Sequence, residues 1–319
     1  MDTKPTAKRS SASKKKSPRS SEPAPVPPKQ KRQIVRIANH DHRAVLLATD
    51  ESGIDIHTAS EGRFGPDLPA IYQQWEEFTA WASTLAGTAA DVIVDRSRLG
   101  SPSPAPRQVF AIGLNYSDHA KESGFAQPDS LPPVFTKFPT CITGPDTTVV
   151  LPEGGNVDWE VELVAVIGSE AKNFSAAEAW NYVSGLSVGQ DISERVSQLR
   201  GPAPEFGLGK SFPSFGPVGP WLVTPDEFTN PDDLSIECSV DGEEVQKSRT
   251  SELIFSVPAL IEGLSHTLTL LPGDIIFTGT PAGVGLGRSP QRFIKPGETL
   301  ISRIEGIGEI SQTFTTAGN

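Results

Sequence analysis

The stretch "DWEVELVAVIG", Asp158 to Gly168, decides the fold, because it reads as a buried β-strand that also carries two carboxylates. Successive residues of a strand point to opposite faces of the sheet. One face is therefore entirely apolar and carries Val161, Leu163, Ala165 and Ile167. The other face carries Glu160, Glu162, Val164 and Val166. Two like charges on one half-buried face repel each other, so this face needs an explanation.

Two explanations of the Glu-x-Glu pair remain open from this stretch alone. In the first, the strand lies at the edge of a sheet and its second face meets solvent, which is the usual situation for such a pair. In the second, the carboxylates bind a hard divalent cation such as Mg²⁺ or Mn²⁺, which prefers clustered oxygen ligands.

Length and composition indicate a soluble globular protein. The chain has 319 residues, of which 36% are hydrophobic and 21% are charged, and we find no apolar run of the roughly 20 residues that a membrane-spanning helix needs. We therefore expect no membrane partner. The two cysteines, Cys141 and Cys238, lie far apart and suggest no disulfide framework. A reducing compartment, the cytoplasm, fits this pattern best.

The charge is divided unevenly along the chain. Residues 1–32 hold ten Lys or Arg and two acids, which gives +8, so the remainder of the net charge of −11 is −19. An acidic body argues against nucleic acid as a partner and suits a protein that holds cations. Residues 1–32, rich in Lys, Ser and Pro, are predicted to be disordered. They are interpreted either as a solvated tail or as a nuclear or mitochondrial address.

The rest of the chain divides into residues 33–99 and residues 107–316, which differ in their pattern of apolar residues, helices and turns. The first part begins with short apolar segments typical of strands and continues with an amphipathic helix from Ile71 to Leu85. The second part has strands between Gly/Pro turns and few helices, one with a capping box at Ser175 and one starting at Ser256. We expect an α+β, mainly β fold with a small N-terminal α/β module.

Further chemistry-bearing residues lie on both sides of the acidic strand. Asp191 in "SVGQDISER" adds a third acid, and Arg195 follows four residues later. In "GLNYSDHAKE", His119 and Glu122 stand at helical i, i+3 spacing, so the carboxylate can orient the imidazole as a water-activating base. Lys210 follows in "GLGKSF".

Two other sequence features carry structural predictions. "GVGLG", Gly283 to Gly287, is predicted to form a turn through which the backbone approaches a ligand. Asp158 precedes the acidic strand. It is predicted either to position the residues of the site without contacting the ligand, or to lie on the surface.

From about Phe110 to Ile310 the sequence resembles the fumarylacetoacetate hydrolase family, in particular its acylpyruvase, oxaloacetate decarboxylase and dienedioate isomerase members. The resemblance rests on six segments in order: "GLNYSDHAKE", "DWEVELVAVIG", "GQDISER", "GKSFPSFGPVGPW", "IFTGTPAGVG" and "IKPGETL". It implies a mixed β-roll or sandwich and a homodimer. The implied site consists of metal ligands Glu160, Glu162 and Asp191 for Mg²⁺ or Mn²⁺, catalytic residues His119, Glu122 and Lys210, and substrate-binding residues Arg195, Gln246 and Thr280.

The function that we expect from this resemblance is cleavage of a carbon-carbon bond in a β-diketo acid, such as an acylpyruvate, through a metal-chelated enolate. The partner would be a small oxo-acid substrate. Decarboxylation of oxaloacetate and isomerisation of 2-hydroxyhepta-2,4-diene-1,7-dioate are alternatives that use the same anion. A non-catalytic binding protein that kept the fold is less favoured, because all the catalytic residue types are present.

Overall fold

The computed structural model describes Met1 and residues 35–317, apart from residues 123 and 125. The predicted basic tail, residues 1–32, lies outside this described part except for Met1. From Val35 onward the described residues belong to one compact unit. No helix in these residues has the length and apolarity to cross a membrane.

Strands dominate the described chain. They are β1 (Arg36–His40), β2 (Arg43–Thr49), β3 (Ser52–Asp55), β4 (Val92–Ile93), β5 (Leu99–Gly100), β6 (Val109–Ile112), β7 (Val134–Thr136), β8 (Ile142–Thr143), β9 (Asp146–Leu151), β10 (Val157–Asp158), β11 (Val161–Ile167), β12 (Val183–Gln190), β13 (Ser193–Glu194), β14 (Gly216–Val223), β15 (Ser235–Val240), β16 (Glu243–Arg249), β17 (Ile275–Phe277), β18 (Thr299–Ile304) and β19 (Gly308–Thr316). The α-helices are α1 (Ile56–Ala59), α2 (Leu68–Tyr72), α3 (Trp75–Ala82), α4 (Ser117–Glu122), α5 (Arg195–Gln198), α6 (Phe206–Gly209) and α7 (Val257–Thr267).

The strands form two main sheets and one small pair. The large sheet runs in the order β4-β3-β2-β1-β14-β12-β11-β17-β6-β7, with β5 added beside β1 and β8 beside β14. The second sheet has the order β16-β15-β18-β19-β9, and β10 pairs with β13. Most neighbours are antiparallel, whereas β17 and β6 are parallel, as are β19 and β9 and the short pair β14 and β8. This is the mixed, mainly β architecture that the sequence predicts.

Strand β11 lies in the interior of the large sheet, between β12 and β17. The predicted alternation is confirmed, because its two faces belong to different apolar cores. Leu163 and Ala165 pack in the core that also contains Ile236 and Leu300 of the second sheet. Val164 and Val166 face the core formed with helices α2 and α3. The strand itself spans Val161–Ile167, shorter than the stretch from Asp158 to Gly168 that reads as a strand, and Glu160 immediately precedes it.

The N-terminal strands continue the large sheet. Arg36 and Ile37 of β1 pair with Val223 and Leu222 of β14. The two parts of the chain, 33–99 and 107–316, differ in sequence pattern but contribute strands to one sheet. The predicted helix from Ile71 to Leu85 is divided into α2, α3 and a 3-10 turn. The capping box at Ser175 and the helix that follows Ser256 are both present.

Candidate active site

Two neighbouring strands bring the three predicted acids together. Val161 at the start of β11 pairs with Gln190 at the end of β12, so the residues just outside this pair also meet. The amide of Asp191 donates to the carbonyl of Glu160 at 2.9 Å. Carboxylate oxygens of Glu160, Glu162 and Asp191 all lie within 4.8 Å of one another, and all three residues are buried.

The position of these acids excludes the explanation by an exposed edge strand. Glu162 is 1% exposed and Asp191 is 0% exposed, because β11 is covered on both faces and both edges. The three residues fit a hard divalent cation, which takes carboxylate oxygens at about 2.0–2.6 Å. Ligands on opposite sides of such an ion are about 4–5 Å apart, which matches the spacing of these oxygens.

A buried hydroxyl near the acids is a second sign that the site is built for a ligand. Within the described residues, the Tyr116 hydroxyl is buried and has no hydrogen-bond partner. Burial raises the pKa of Tyr116, and the carboxylate of Glu162 adds to this effect. Unsatisfied buried polar groups are rare, so this hydroxyl is suited to meet a bound molecule.

Two predicted cations contact the acids directly. Lys210 Nζ lies 2.7 Å from Glu160 Oε2 and 2.6 Å from Asp191 Oδ2. Arg195 Nη2 lies 2.8 Å from Glu160 Oε1. Burial alone would raise the pKa of Glu160, but the charges of Lys210 and Arg195 outweigh it and lower the pKa to about 2.

Glu162 has a different electrostatic environment. Its Oε2 accepts a hydrogen bond of 2.6 Å from the amide of Gly279, but among the described residues it forms no ion pair with an ammonium or guanidinium. Burial and the nearby carboxylates of Asp191 and Glu160 raise its pKa well above the ordinary value. Glu162 therefore takes up a proton more readily than Glu160 does.

A third cation, Lys137, was missed by the sequence reasoning. Its side chain is 0% exposed and its Nζ lies 2.7 Å from Asp191 Oδ1. The same ammonium donates to the carbonyls of Lys210 and Phe215. The sequence signal is weak, since a lysine in the short segment "VFTKFP" resembles an exposed strand residue.

The predicted His/Glu pair forms as the helical spacing indicates. His119 Nδ1 lies 3.4 Å from Glu122 Oε2 on helix α4, and His119 is buried. Both oxygens of Glu122 also accept from the amide of Gly283, at 3.2 and 3.1 Å. The "GVGLG" segment thus approaches the carboxylate that orients the histidine.

Asp158 is fully buried, which excludes the surface alternative. Its Oδ2 accepts from Arg195 Nε at 2.9 Å and from Arg195 Nη2 at 2.7 Å. Arg195 Nη1 donates to Gln198 Oε1 at 2.8 Å. The guanidinium is therefore held by Asp158 and Gln198 while it contacts Glu160.

The two remaining predicted residues lie beside the start of β11. Thr280 Oγ1 donates to the carbonyl of Val161 at 3.0 Å and accepts from Gln246 Nε2 at 2.8 Å. Gln246 also donates to the carbonyl of Pro281 and accepts from the amide of Val161. Its amide is thus engaged within the protein, so its role toward a substrate stays a prediction.

The fold and its buried carboxylate site define a mainly β protein of the enzyme type that the sequence resembles. Residues 108–315 match the family described as "Fumarylacetoacetate (FAA) hydrolase C-terminal". The chain belongs to this family of enzymes, which confirms the resemblance.

The chain is similar to three proteins, two of which are named for different activities. The rat mitochondrial oxaloacetate tautomerase Fahd2a is 40% identical over 266 residues, which cover 82% of this chain and 84% of the rat protein. The crystal structure of a Mycobacterium smegmatis protein assigned the name HpcE has 53% identity and a TM-score of 0.82, covering 88% of this chain and 99% of that one. Fumarylpyruvate hydrolase from Pseudomonas aeruginosa, solved with Mn²⁺ and pyruvate, has 32% identity and a TM-score of 0.61, covering 66% and 90%.

Proposed function

We propose that this protein acts on a small 2-oxo acid by stabilising its enolate anion and moving a proton with His119. The observation that carries the proposal is the buried triad of Glu160, Glu162 and Asp191 together with the His119–Glu122 pair, which lies close enough for His119 to help lower the pKa of Glu160. Two cations, Lys210 and Arg195, contact the same site. This combination suits a reaction in which negative charge develops on the substrate.

The triad would hold Mg²⁺ or Mn²⁺, with Mn²⁺ supported by the Pseudomonas relative. A bound divalent cation would act as a Lewis acid toward the 2-oxo group and carboxylate of the substrate. Lys210 and Arg195 would hold the negative charge of the substrate, and a well-placed donor of this kind can contribute about 3 kcal/mol. Thr280 is proposed to lie beside the substrate carboxylate, and Gln246 to support it there.

His119 is proposed as the group that transfers the proton. Its Nδ1 faces Glu122, so Nε2 is the nitrogen that can exchange a proton with water or substrate. Glu122 fixes the ring orientation and stabilises the protonated imidazole.

In the hydrolytic reaction, the substrate is an acylpyruvate. His119 takes a proton from water, and the resulting hydroxide attacks the distal carbonyl. The carbon-carbon bond between that carbonyl and the pyruvate part breaks, which yields a carboxylic acid and the pyruvate enolate. A proton then converts the enolate to pyruvate. The fumarylpyruvate hydrolase relative supports this reaction.

A second candidate uses the same anion without attack by water. Proton transfer at carbon 3 interconverts the enol and keto forms of oxaloacetate. Loss of the 2-hydroxyl proton and protonation at carbon 5 convert a 2-hydroxy-2,4-dienedioate to its 2-oxo-3-ene isomer, and loss of carbon dioxide from oxaloacetate gives the pyruvate enolate. The tautomerase relative, which matches over 82% of this chain, favours this candidate.

A substrate panel tests these reactions against one another. The purified full-length protein is assayed with acetylpyruvate, fumarylpyruvate, and the enol and keto forms of oxaloacetate, with Mn²⁺ and with a chelator. Turnover of the pyruvates supports hydrolysis, and faster enol-to-keto conversion of oxaloacetate supports proton transfer. Binding without turnover of any of them favours a non-catalytic protein. Full activity in Glu160→Ala would remove the role of the triad.

We also propose a homodimer, supported by large apolar side chains exposed on the elements that follow β13. Leu199 and Leu208 are 50% and 68% exposed, and helices α5 and α6 contact each other. Such a pair suits burial against a second copy, and light scattering of the purified protein tests it.

For location, the cytoplasm stays a proposal; the mitochondrial alternative is supported by the name of the rat relative and tested by fluorescence microscopy.

A further inference from the structure

The segment Gly283–Gly287, called the glycine loop below, lies between two parts of the site. At its start, the amide of Gly283 donates to both oxygens of Glu122. In its middle, the amides of Gly285 and Leu286 donate to Asp158, at 2.7 and 2.9 Å. The loop therefore contacts the residue that orients His119 and the residue that holds Arg195.

Asp158 uses its two oxygens for different purposes. Oδ1 accepts from the amides of Trp159 and Gly285, and Oδ2 accepts from the amide of Leu286 and twice from Arg195. Five donors thus converge on one fully buried carboxylate. Charge-assisted bonds of this kind are stronger than neutral ones, so the arrangement is rigid.

The glycines allow the loop to approach this closely. At Gly287 an added Cβ would lie 2.5 Å from Glu122 Cδ and 2.7 Å from Glu122 Oε1. At Gly283 the backbone has φ +109°, a conformation that other residues rarely adopt. The indole of Trp159 also donates to the carbonyl of Gly283, at 3.1 Å, which ties the loop to the residue next to Asp158.

We propose that Asp158 is a positioning residue that links the placement of Arg195 to the placement of Glu122 through the glycine loop. The connected path runs from Glu122 to Gly283, along the loop to Asp158, and from Asp158 to Arg195. Neither the sequence pattern nor the resemblance assigns this role. The proposal rests on the proposed function only where it gives these contacts a role in catalysis. The linkage itself can be measured without turnover.

The first experiment changes Asp158 and observes helix α4. Asp158→Asn keeps the side-chain volume but replaces one carboxylate oxygen with an NH₂ group. This group faces N–H donors and cannot accept from them, so about half of the five hydrogen bonds are lost. Amide hydrogen exchange is measured for peptides covering residues 117–122 and for the second sheet. We expect exchange in 117–122 to rise about tenfold or more while the second sheet is unchanged. Asp241→Asn, in the β15–β16 turn where it accepts from the Thr299 amide, is the matched control and should leave 117–122 unchanged.

The second experiment applies the reciprocal change and remains informative if Asp158→Asn does not fold. In Gly287→Ala the three atoms nearest to the added Cβ all belong to Glu122, so the substitution acts first on that side chain. Linkage requires the effect to be felt in the opposite direction, so exchange of the Arg195 Nε–H, followed in side-chain ¹H–¹⁵N spectra, should also accelerate about tenfold. The signal is assigned by its absence in Arg195→Lys.

Two results overturn the proposal. The first is an unchanged exchange rate, either for residues 117–122 in Asp158→Asn or for the Arg195 Nε–H in Gly287→Ala. The other is a uniform rise across the whole protein, which would show a general loss of stability. Inactivity of the wild-type enzyme on every substrate of the panel would remove the proposed function but would not alter these exchange results.

Discussion

The ammonium of Lys137 and the carboxylate of Asp191 form an ion pair that is almost entirely removed from solvent. Nζ lies 2.7 Å from Oδ1, and the two side chains are 0% and 1% exposed. Lys137 also donates to the carbonyls of Lys210 and Phe215, so its three protons have three acceptors. Lys137 thus contacts both an acid of the triad, Asp191, and the backbone carbonyl of Lys210, another cation of the site.

Removing this lysine should destabilise the protein strongly. Lys137→Met keeps the length of the side chain but leaves Asp191 with Lys210 as its remaining ion pair, and breaking a buried pair typically costs about 3–5 kcal/mol. Urea denaturation measures the free energy of unfolding. The exposed pair of Lys247 and Glu244 offers a matched control, because Lys247→Met should have little effect. Similar losses in both variants would contradict a special role for Lys137.

Binding of Mn²⁺ should release a proton from Glu162. Burial and two neighbouring acids raise the pKa of Glu162, whereas Glu160 is ionised because its pKa is about 2. Below the pKa of Glu162, affinity should therefore rise with pH by up to about tenfold per unit. Calorimetry in two buffers of different ionisation enthalpy measures the proton. Glu162→Gln should bind Mn²⁺ more weakly and without this dependence; equal heats in both buffers would argue against the assignment.

The same carboxyl should make the stability of chelator-treated protein depend on pH. An acid whose pKa is raised on folding binds its proton more tightly in the folded state, so folding is favoured below that pKa. As the pH rises from the ordinary value of 4.5 toward the raised one, the free energy of unfolding should fall relative to Glu162→Gln. Denaturation of both proteins at several pH values tests this, and a constant difference between them would refute it.

Replacement of His119 should affect turnover and spare metal binding. His119→Gln keeps a polar side chain but removes the base, and general-base catalysis typically contributes about 10²–10⁴-fold to the rate. Steady-state kinetics should show that loss in kcat, with Mn²⁺ affinity near wild type. Asp118→Asn lies on the same helix with an exposed side chain and should keep kcat. A full kcat in His119→Gln would exclude it as the proton carrier.

Part of the acidic site could be predicted because its signals are local. The alternation of Glu162 with apolar neighbours follows from the two-residue period of a strand, and the pairing of His119 with Glu122 follows from helical spacing. The grouping of Asp191 with the other two acids came from the family resemblance, and the register of β11 and β12 explains it.

Other features depend on contacts between distant segments, which local patterns do not encode. Periodicity cannot tell whether β11 lies at the edge or in the middle of a sheet, because that depends on its neighbours β12 and β17. Lys137 is buried through a partner 54 residues away. Asp158 receives Arg195 and the glycine loop from segments 37 and more than 120 residues further along the chain.

The junction between β1 and β14 has a consequence for shortened forms of the protein. A chain that begins at residue 101 would retain all of the triad, yet it would leave β14 without the partner that covers its outer edge. It would also uncover the side of the sheet on which Phe78 and Ile71 now pack against Val164 and Val166. Bare strand edges and exposed apolar surfaces promote aggregation, so residues 35–100 protect the rest of the large sheet from self-association.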